Sequence, residues 1–413
     1  MRATSTLGTA LTLIHTGQAP TRSALTTALG VTRATAGAVV TELRELGLIQ
    51  VDSSTPGGAQ GRPSHALAIA PDGPVALAAQ LHPDGFAVAL VALGGQLIAR
   101  RASHGTVPDD PVRALATVAE AGADLLRGSG RTCAGAAIAV PTAVTEPDGT
   151  AVSPLYLGWA TGTRIRDIFA GHLARRGVGE WDGSGEQDGS REPGGAARPG
   201  TVAACRAVND VNALALAEHR HGAGRGAGYL LVVAAEHRGV GGALVLGGDL
   251  YTGSTGLSME VGHVSVDPNG RPCPCGNRGC LNVETDAERF LAAAGRAPGP
   301  ALLDQAVAVL RAGYAADERV TRAADDIVQH LGLGLADLIN VVNPDLVLLG
   351  GLHRHLLQAA PDQLRQSVAR RSPWGRGARV PIHPCALDNA SLIGAAELAW
   401  QPVLDDPASL RQQ

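Results

Sequence analysis

Residues 260–280, EVGHVSVDPNGRPCPCGNRGC, gather the soft metal ligands of this chain. Cys273, Cys275 and Cys280 put three thiolates within reach of one ion, and His263, ten residues before the first of them, supplies a fourth donor. A Cys3His set closes a tetrahedron and leaves no position for water, so the chemistry expected is structural zinc binding, not metal catalysis. Pro272, Pro274, Gly276 and Gly279 punctuate the segment and shape a knuckle. The alternative is a set of free or oxidised thiols, which a reducing cytosol disfavours. Cys133, Cys205 and Cys385 are scattered and read as small buried apolar residues.

A knuckle needs a body to hold it. The 413 residues are 45% hydrophobic, enough for a large core and for two or three domains. No apolar run approaches the ~18 residues of a membrane helix, and the first residues do not read as a signal peptide, so a cytoplasmic protein is expected. All 34 basic residues are arginine, and the formal charge is -4. Residues 1–69 carry five arginines against three acids, so a mildly basic head sits on an acidic body.

That head has its own pattern. Leu7, Leu11 and Ile14 share one helical face, and Pro20 ends the helix. Thr21 and Thr32 can cap two further helices, with Gly30 closing the first and Gly47 the second. Leu48–Val51 and residues 65–70 read as strands around a turn-rich tip at 53–64. Three helices and a hairpin make a winged helix-turn-helix over residues 1–72. From residue 73 strands and helices alternate as an α/β body: strands near 74–81, 85–93, 94–103, 133–140, 228–236, 241–248, 344–351 and 380–387, helices over 111–127, 302–313 and 320–340. Residues 177–200 are Gly-rich and polar and read as a mobile insertion. No internal sequence repeat is evident.

Glu260-Val261-Gly262-His263 followed by CPCGNRGC resembles the signature of the ROK family of repressors, open reading frames and sugar kinases. The resemblance covers nearly the whole chain and includes TRSALTTALGVTRATAGAVVTELRELGLI, VPTAVTEPDGTAVSPLYLGW, Asn209-Asp210-Val211-Asn212, NPDLVLLGG and Ile393-Gly394-Ala395-Ala396. It implies a two-lobed, actin-like sugar-kinase fold. The first lobe would take 73–205 plus 386–413 and the second 206–385. It also implies a sugar or sugar-phosphate effector held by Asn209, Asp210, Glu260, His263 and Asn282. In a kinase of this kind Asp210 would be the general base. Here it would be a relic of that base, since the phosphate elements depart from the family pattern. Gln80-Leu81-His82-Pro83-Asp84 stands for the family's Asp-x-Gly-Gly-Thr turn, and His237-Arg238-Gly239 for its Gly-Thr-Gly. Without the first turn's glycines, backbone N–H groups there cannot approach phosphate. Thr142, Leu155 and Asn282 also replace residues usual on the sugar side.

The expectation is therefore a non-enzymatic regulator, a repressor, binding a palindromic double-stranded DNA operator as a homodimer or dimer of dimers. Arg33, Thr35 and Thr41 of the third helix would face the major groove, Arg22, Ser23 and Arg44 would meet phosphates, and Arg62 of the wing resembles the family's minor-groove probe. Two rivals remain: an ATP-dependent sugar kinase with a fused DNA-binding head, and a DNA-binding protein that needs no ligand.

Overall fold

The computed structural model describes residues 5–52, 65–145, 147–179, 205–373 and 379–412. The wing tip with Arg62, and residues 180–200 of the insertion, lie outside the described residues.

The head begins with α1 (Thr6–His15), α2 (Arg22–Leu29) and α3 (Arg33–Glu45), followed by the antiparallel pair β1 (Ile49–Asp52) and β2 (Ala66–Ile69). The threonines act as caps: Thr21 accepts from the Ala24 N–H and Thr32 from the Thr35 N–H, and Gly30 closes α2 at φ +63°. Ala36, Val39, Val40 and Leu43 are the buried face of α3.

The body continues with β3 (Val75–His82), β4 (Gly85–Val91), β5 (Leu97–His104), α4 (Pro111–Ser129), β6 (Cys133–Val140), β7 (Ala143–Thr145), β8 (Thr150–Val152), α5 (Ile165–Arg175), β9 (Cys205–Asn209) and α6 (Asp210–His221). Then come β10 (Tyr229–Ala235), β11 (Gly241–Leu246), β12 (Asp249–Leu250), α7 (Leu281–Glu284), α8 (Ala287–Ala293), α9 (Leu302–Gly313) and α10 (Glu318–Val342). The chain closes with β13 (Leu346–Gly350), α11 (Gly351–Ala359), α12 (Pro361–Arg371), β14 (Ile382–Pro384) and a last helix, α13 (Ala390–Asp405).

The strands form two five-stranded sheets, β5-β4-β3-β6-β9 and β12-β11-β10-β13-β14. In each, an antiparallel meander is extended by two parallel strands. The chain is thus duplicated in topology, although no repeat shows in its residues; strand order and burial define the unit. Arg206–Asn209 belong to β9 and so to the first sheet. The passage to the second lobe falls at Asn209–Asp210, later than the boundary after 205 expected from the sequence.

Two helices join the sheets. α13 packs on β3 and β6, α6 on β10 and β11, and the two pack closely on each other. Gly394 permits that approach: a Cβ there would lie 1.7 Å from the Ala213 carbonyl oxygen. Gly351, at φ +54°, likewise turns β13 into α11 where a Cβ would lie 1.8 Å from the Ala235 oxygen. These glycines of the family-like motifs therefore have packing reasons of their own.

The head is built into the first lobe. Leu11, Ile14 and Leu25 share one apolar core with Leu93, Trp400 and Leu404, and the Trp400 indole donates to the Val91 oxygen at 3.1 Å. A buried polar knot lies beside it. Glu397 of α13 takes His15 Nε2 at 2.7 Å, Arg220 Nη1 at 2.8 Å and His221 Nε2 at 2.9 Å. The Gly94 N–H donates to His15 Nδ1 at 2.8 Å, which leaves Nε2 as the donor to Glu397. Among the described residues no helix is long and apolar enough to cross a membrane.

Candidate ligand cleft, metal centre and nucleic-acid interface

A cleft of ≈ 390 Å³ opens between the lobes. Its floor is the β9–α6 junction. Asn209 caps α6, its Oδ1 accepting from the Val211 and Asn212 N–H groups at 2.9 and 3.1 Å while Nδ2 donates to the Thr142 oxygen at 3.2 Å. Asp210 follows as the first helical residue, 5% exposed. Thr142, Ser153, Leu155 and Tyr156 come from the first lobe, and Glu236, Glu260, His263 and Asn282 from the second. All five residues expected on the sugar side thus line one cleft. Ser153 and Met259, both on its wall, have φ of 51° and 64°, backbone strain of the kind that collects at functional sites.

The carboxyls here are under electrostatic load. Burial, reinforced by Glu236, raises Asp210 to about 7. Burial likewise raises Glu236 to about 7 against the pull of Arg354, and raises Glu260 against His263. Glu236 was not singled out from the sequence; its one signal is an acid directly after the apolar strand β10. Asn282 has a different place from the one expected of a free ligand donor. Its Oδ1 accepts from the Val240 N–H at 2.6 Å and its Nδ2 donates to the Tyr156 hydroxyl at 2.5 Å, so both ends of the amide are engaged across the cleft. Gly239 leaves room for this bridge, since a Cβ there would lie 2.4 Å from Asn282 Oδ1.

Beside the cleft, the ligand atoms of His263, Cys273, Cys275 and Cys280 lie within 4.8 Å of one another. Cys273 Sγ is 3.7 Å from His263 Nδ1, and Cys275 Sγ is 3.7 Å from Cys280 Sγ. The edges of a tetrahedral zinc site with ordinary bond lengths are about 3.6–3.8 Å, so the donor set fits such an ion. Backbone turns shape the knuckle: the Gly276 N–H donates to the Cys273 oxygen at 2.9 Å and the Cys273 N–H to the Asn277 oxygen at 2.8 Å. His263 joins cluster and cleft, for its Nε2 stands 3.9 Å from Glu260. Cys280 leads directly into α7, which carries Asn282.

The two turns that depart from the family's phosphate loops meet each other. The rings of His82 and His237 stack at 3.6 Å with planes 4° apart, and Arg238 Nη2 lies 3.6 Å from Asp84 Oδ1. Side chains of both turns thus fill their junction.

On the head, Ser23, Arg33, Thr35, Thr41 and Arg44 are exposed. The Thr35 hydroxyl is bonded to Thr32 at 2.9 Å. Arg22 is half-buried and lies over α3: its Nη2 donates to the Arg33 oxygen at 3.4 Å and occupies the space a Cβ of Gly37 would take, 2.0 Å away. Gly37 thus gives Arg22 a bed on the helix.

A two-lobed α/β body with a cleft between duplicated sheets defines a class of protein, the sugar-kinase-like fold, here preceded by three helices and a strand pair. Residues 201–401 match the family model described as the ROK family. It is 27% identical over 210 residues to the DNA-binding transcriptional dual regulator NagC of Escherichia coli, covering 49% of this chain and 51% of that protein. It is 31% identical over 204 residues to a glucokinase of Thermotoga maritima, covering 46% and 64%. The chain therefore spans about half to two thirds of these curated relatives. The crystal structure of a ROK family transcriptional regulator, a homologue of the Escherichia coli MLC protein, superposes with a TM-score of 0.72 at 19% identity, covering 98% of this chain and 97% of that one.

Proposed function

We propose that the chain is a DNA-binding transcription regulator, a repressor, which senses a sugar or sugar derivative in the cleft through lobes that do not transfer phosphate. The observation that carries this reading is the junction of the two altered turns, His82 on His237 and Arg238 beside Asp84, on a chain whose first elements are a helix-turn-helix with a two-stranded wing. Phosphoryl transfer is mostly positioning and charge neutralisation, and it needs the cradle those turns do not form. His263, Cys273, Cys275 and Cys280 would hold a structural zinc, which supplies cross-linking of the knuckle and no reactive water. The α3 surface, with Arg33, Thr35, Thr41 and Arg44, would lie on operator DNA, joined by Ser23, Arg22 and the wing's Arg62. A homodimer or dimer of dimers would match a palindrome.

The geometry supports a route for the signal. α6 has 12 residues, about 18 Å of helix. Its first residue, Asp210, stands in the cleft; its last two, Arg220 and His221, hold Glu397, which holds His15 of the head. A ligand that binds one lobe arrangement better than the other shifts the population of head positions through this rod.

A second reading, a sugar kinase with a DNA-binding head, is favoured by one observation: Asp210, raised to about 7, is poised as a general base would be. One experiment separates them. Duplex DNA from upstream of the gene should be retarded by the purified chain and released by one member of a sugar panel, with no nucleotide turnover. Robust turnover of ATP with a sugar, by protein showing no operator affinity, overturns the proposal. Operator binding that no sugar alters, with no sugar raising thermal stability, leaves a ligand-independent DNA-binding protein.

A further inference from the structure

We propose that His82, Asp84 and His237 form a second metal site, separate from the thiolate cluster, which takes a borderline first-row dication such as zinc or nickel and ties the two lobes together. The ligand atoms of these three residues lie within 4.8 Å of one another. His82 ends β3 and Asp84 stands in the turn to β4 in the first lobe, and His237 follows β10 of the second. An ion held by all three is therefore a clamp on the cleft's neighbouring edge.

Unsatisfied atoms point to a ligand. His82 is 7% exposed, and both its Nδ1 and Asp84 Oδ2 are buried with no hydrogen-bond partner. Buried polar atoms left unpaired are rare and call for an explanation such as an ion. Arg238 stands by the other Asp84 oxygen, at 3.6 Å, so Oδ2 is the oxygen available. Two imidazoles and one carboxylate suit zinc, nickel or cobalt and are poorly matched to magnesium, which prefers oxygen ligands. The imidazoles must be neutral to ligate. Burial, with His237, His104 and Arg100 nearby, pushes His82 down to about 3; burial also lowers His237 against the pull of Asp84 and Asp304. The stacked rings must tilt so that their lone pairs converge, a rotation the broad second torsion of histidine allows.

Metal stoichiometry of the full chain is the test, read by native mass spectrometry after saturation with zinc and removal of excess. Two ions per chain are expected in the unaltered protein, one in Asp84→Asn and His237→Ala, and one in Cys275→Ser. Cobalt substitution identifies which is lost. Thiolate charge-transfer absorption in the near ultraviolet should survive Asp84→Asn and His237→Ala and weaken in Cys275→Ser. Asp84→Asn keeps the side chain's shape and should weaken the second ion's binding at least tenfold with unaltered thermal unfolding of the metal-free chain. One ion per chain in the unaltered protein, or a second ion retained by folded Asp84→Asn and His237→Ala alike, overturns the proposal.

Discussion

The two ends of α6 handle buried acid in opposite ways. At the cleft end, burial drives Asp210 and Glu236 to about 7; Glu236 adds to the load on Asp210, and Arg354 offsets only part of that on Glu236. At the head end, burial alone would raise Glu397 too, but His15, His221 and Arg220 bond it from three sides and hold it well below the usual carboxylate range. One end stores an electrostatic cost that hydroxyl donors can relieve. The other fixes the head to the rod with charge-assisted bonds. The proposed sensor would need this asymmetry: a compliant site for the ligand and a stiff joint for the response.

The sharpest way to break the contrast is Glu397→Gln. Removing the acid from a buried ion cluster leaves Arg220 without its charge partner, and the expected loss is about 3–5 kcal/mol in denaturant unfolding. Since Glu397 is depressed in the folded chain, its contribution is present above its ordinary value of 4.5 and is lost as pH falls through the lower folded value. The difference between the two proteins should therefore be full at pH 7 and shrink in acid. A variant as stable as its parent at pH 7 would show that the joint is not stiff.

None of this joint could be read from the sequence. His15 and Glu397 are 382 positions apart, and a histidine on an otherwise apolar helix carries no local sign of its partner. The same limit hid the duplicated sheets, the tie between Asn282 and Tyr156, and the carboxyl of Glu236, each of which depends on contacts between distant segments. What the sequence did make legible was local. Thr21, Thr32 and Gly30 sit where capping chemistry requires them, and the cysteine spacing gathers its thiols within one knuckle. The cleft residues came from motif likeness, and the structure assembled them, while giving Asn209 and Asn282 structural hydrogen bonds as well.

The cleft end depends on the knuckle, which positions His263 and leads into Asn282. Cys280→Ser, or prolonged treatment with a strong chelator, should cost about 2–3 kcal/mol and loosen the cleft before the head joint. Hydrogen exchange should show faster opening around 260–285 and little alteration in α1. Uniform loosening at both ends would mean that the two regions are not mechanically separate.

Asp210→Asn sharpens the comparison at the compliant end. Asp210 has an ordinary value of 3.8 and about 7 when folded. Well below pH 3.8 the group is neutral in both states and costs nothing; the penalty grows as pH rises towards 7 and is complete above it. The amide carries no such charge, so the variant should gain on its parent as pH rises from 3 and be the more stable of the two above pH 7. A stability difference that does not vary between pH 4 and 8 would remove the stored cost from the cleft.

The smallest effect belongs to the surface the rod is proposed to move. Arg33 is exposed at the start of α3, whereas Arg22 lies packed over Gly37 and bonds the Arg33 oxygen. Two arginines side by side should then behave differently. Arg33→Ala should leave unfolding unaltered, weaken operator binding a few-fold and reduce the salt dependence by about one counterion. Arg22→Ala should cost both binding and head stability, by less than about 1 kcal/mol. Titration of operator duplex at several salt concentrations, beside thermal unfolding of each variant, reads both. Equal affinity and equal salt slopes in the parent and Arg33→Ala would take that arginine off the operator and move the gripping face elsewhere on the head.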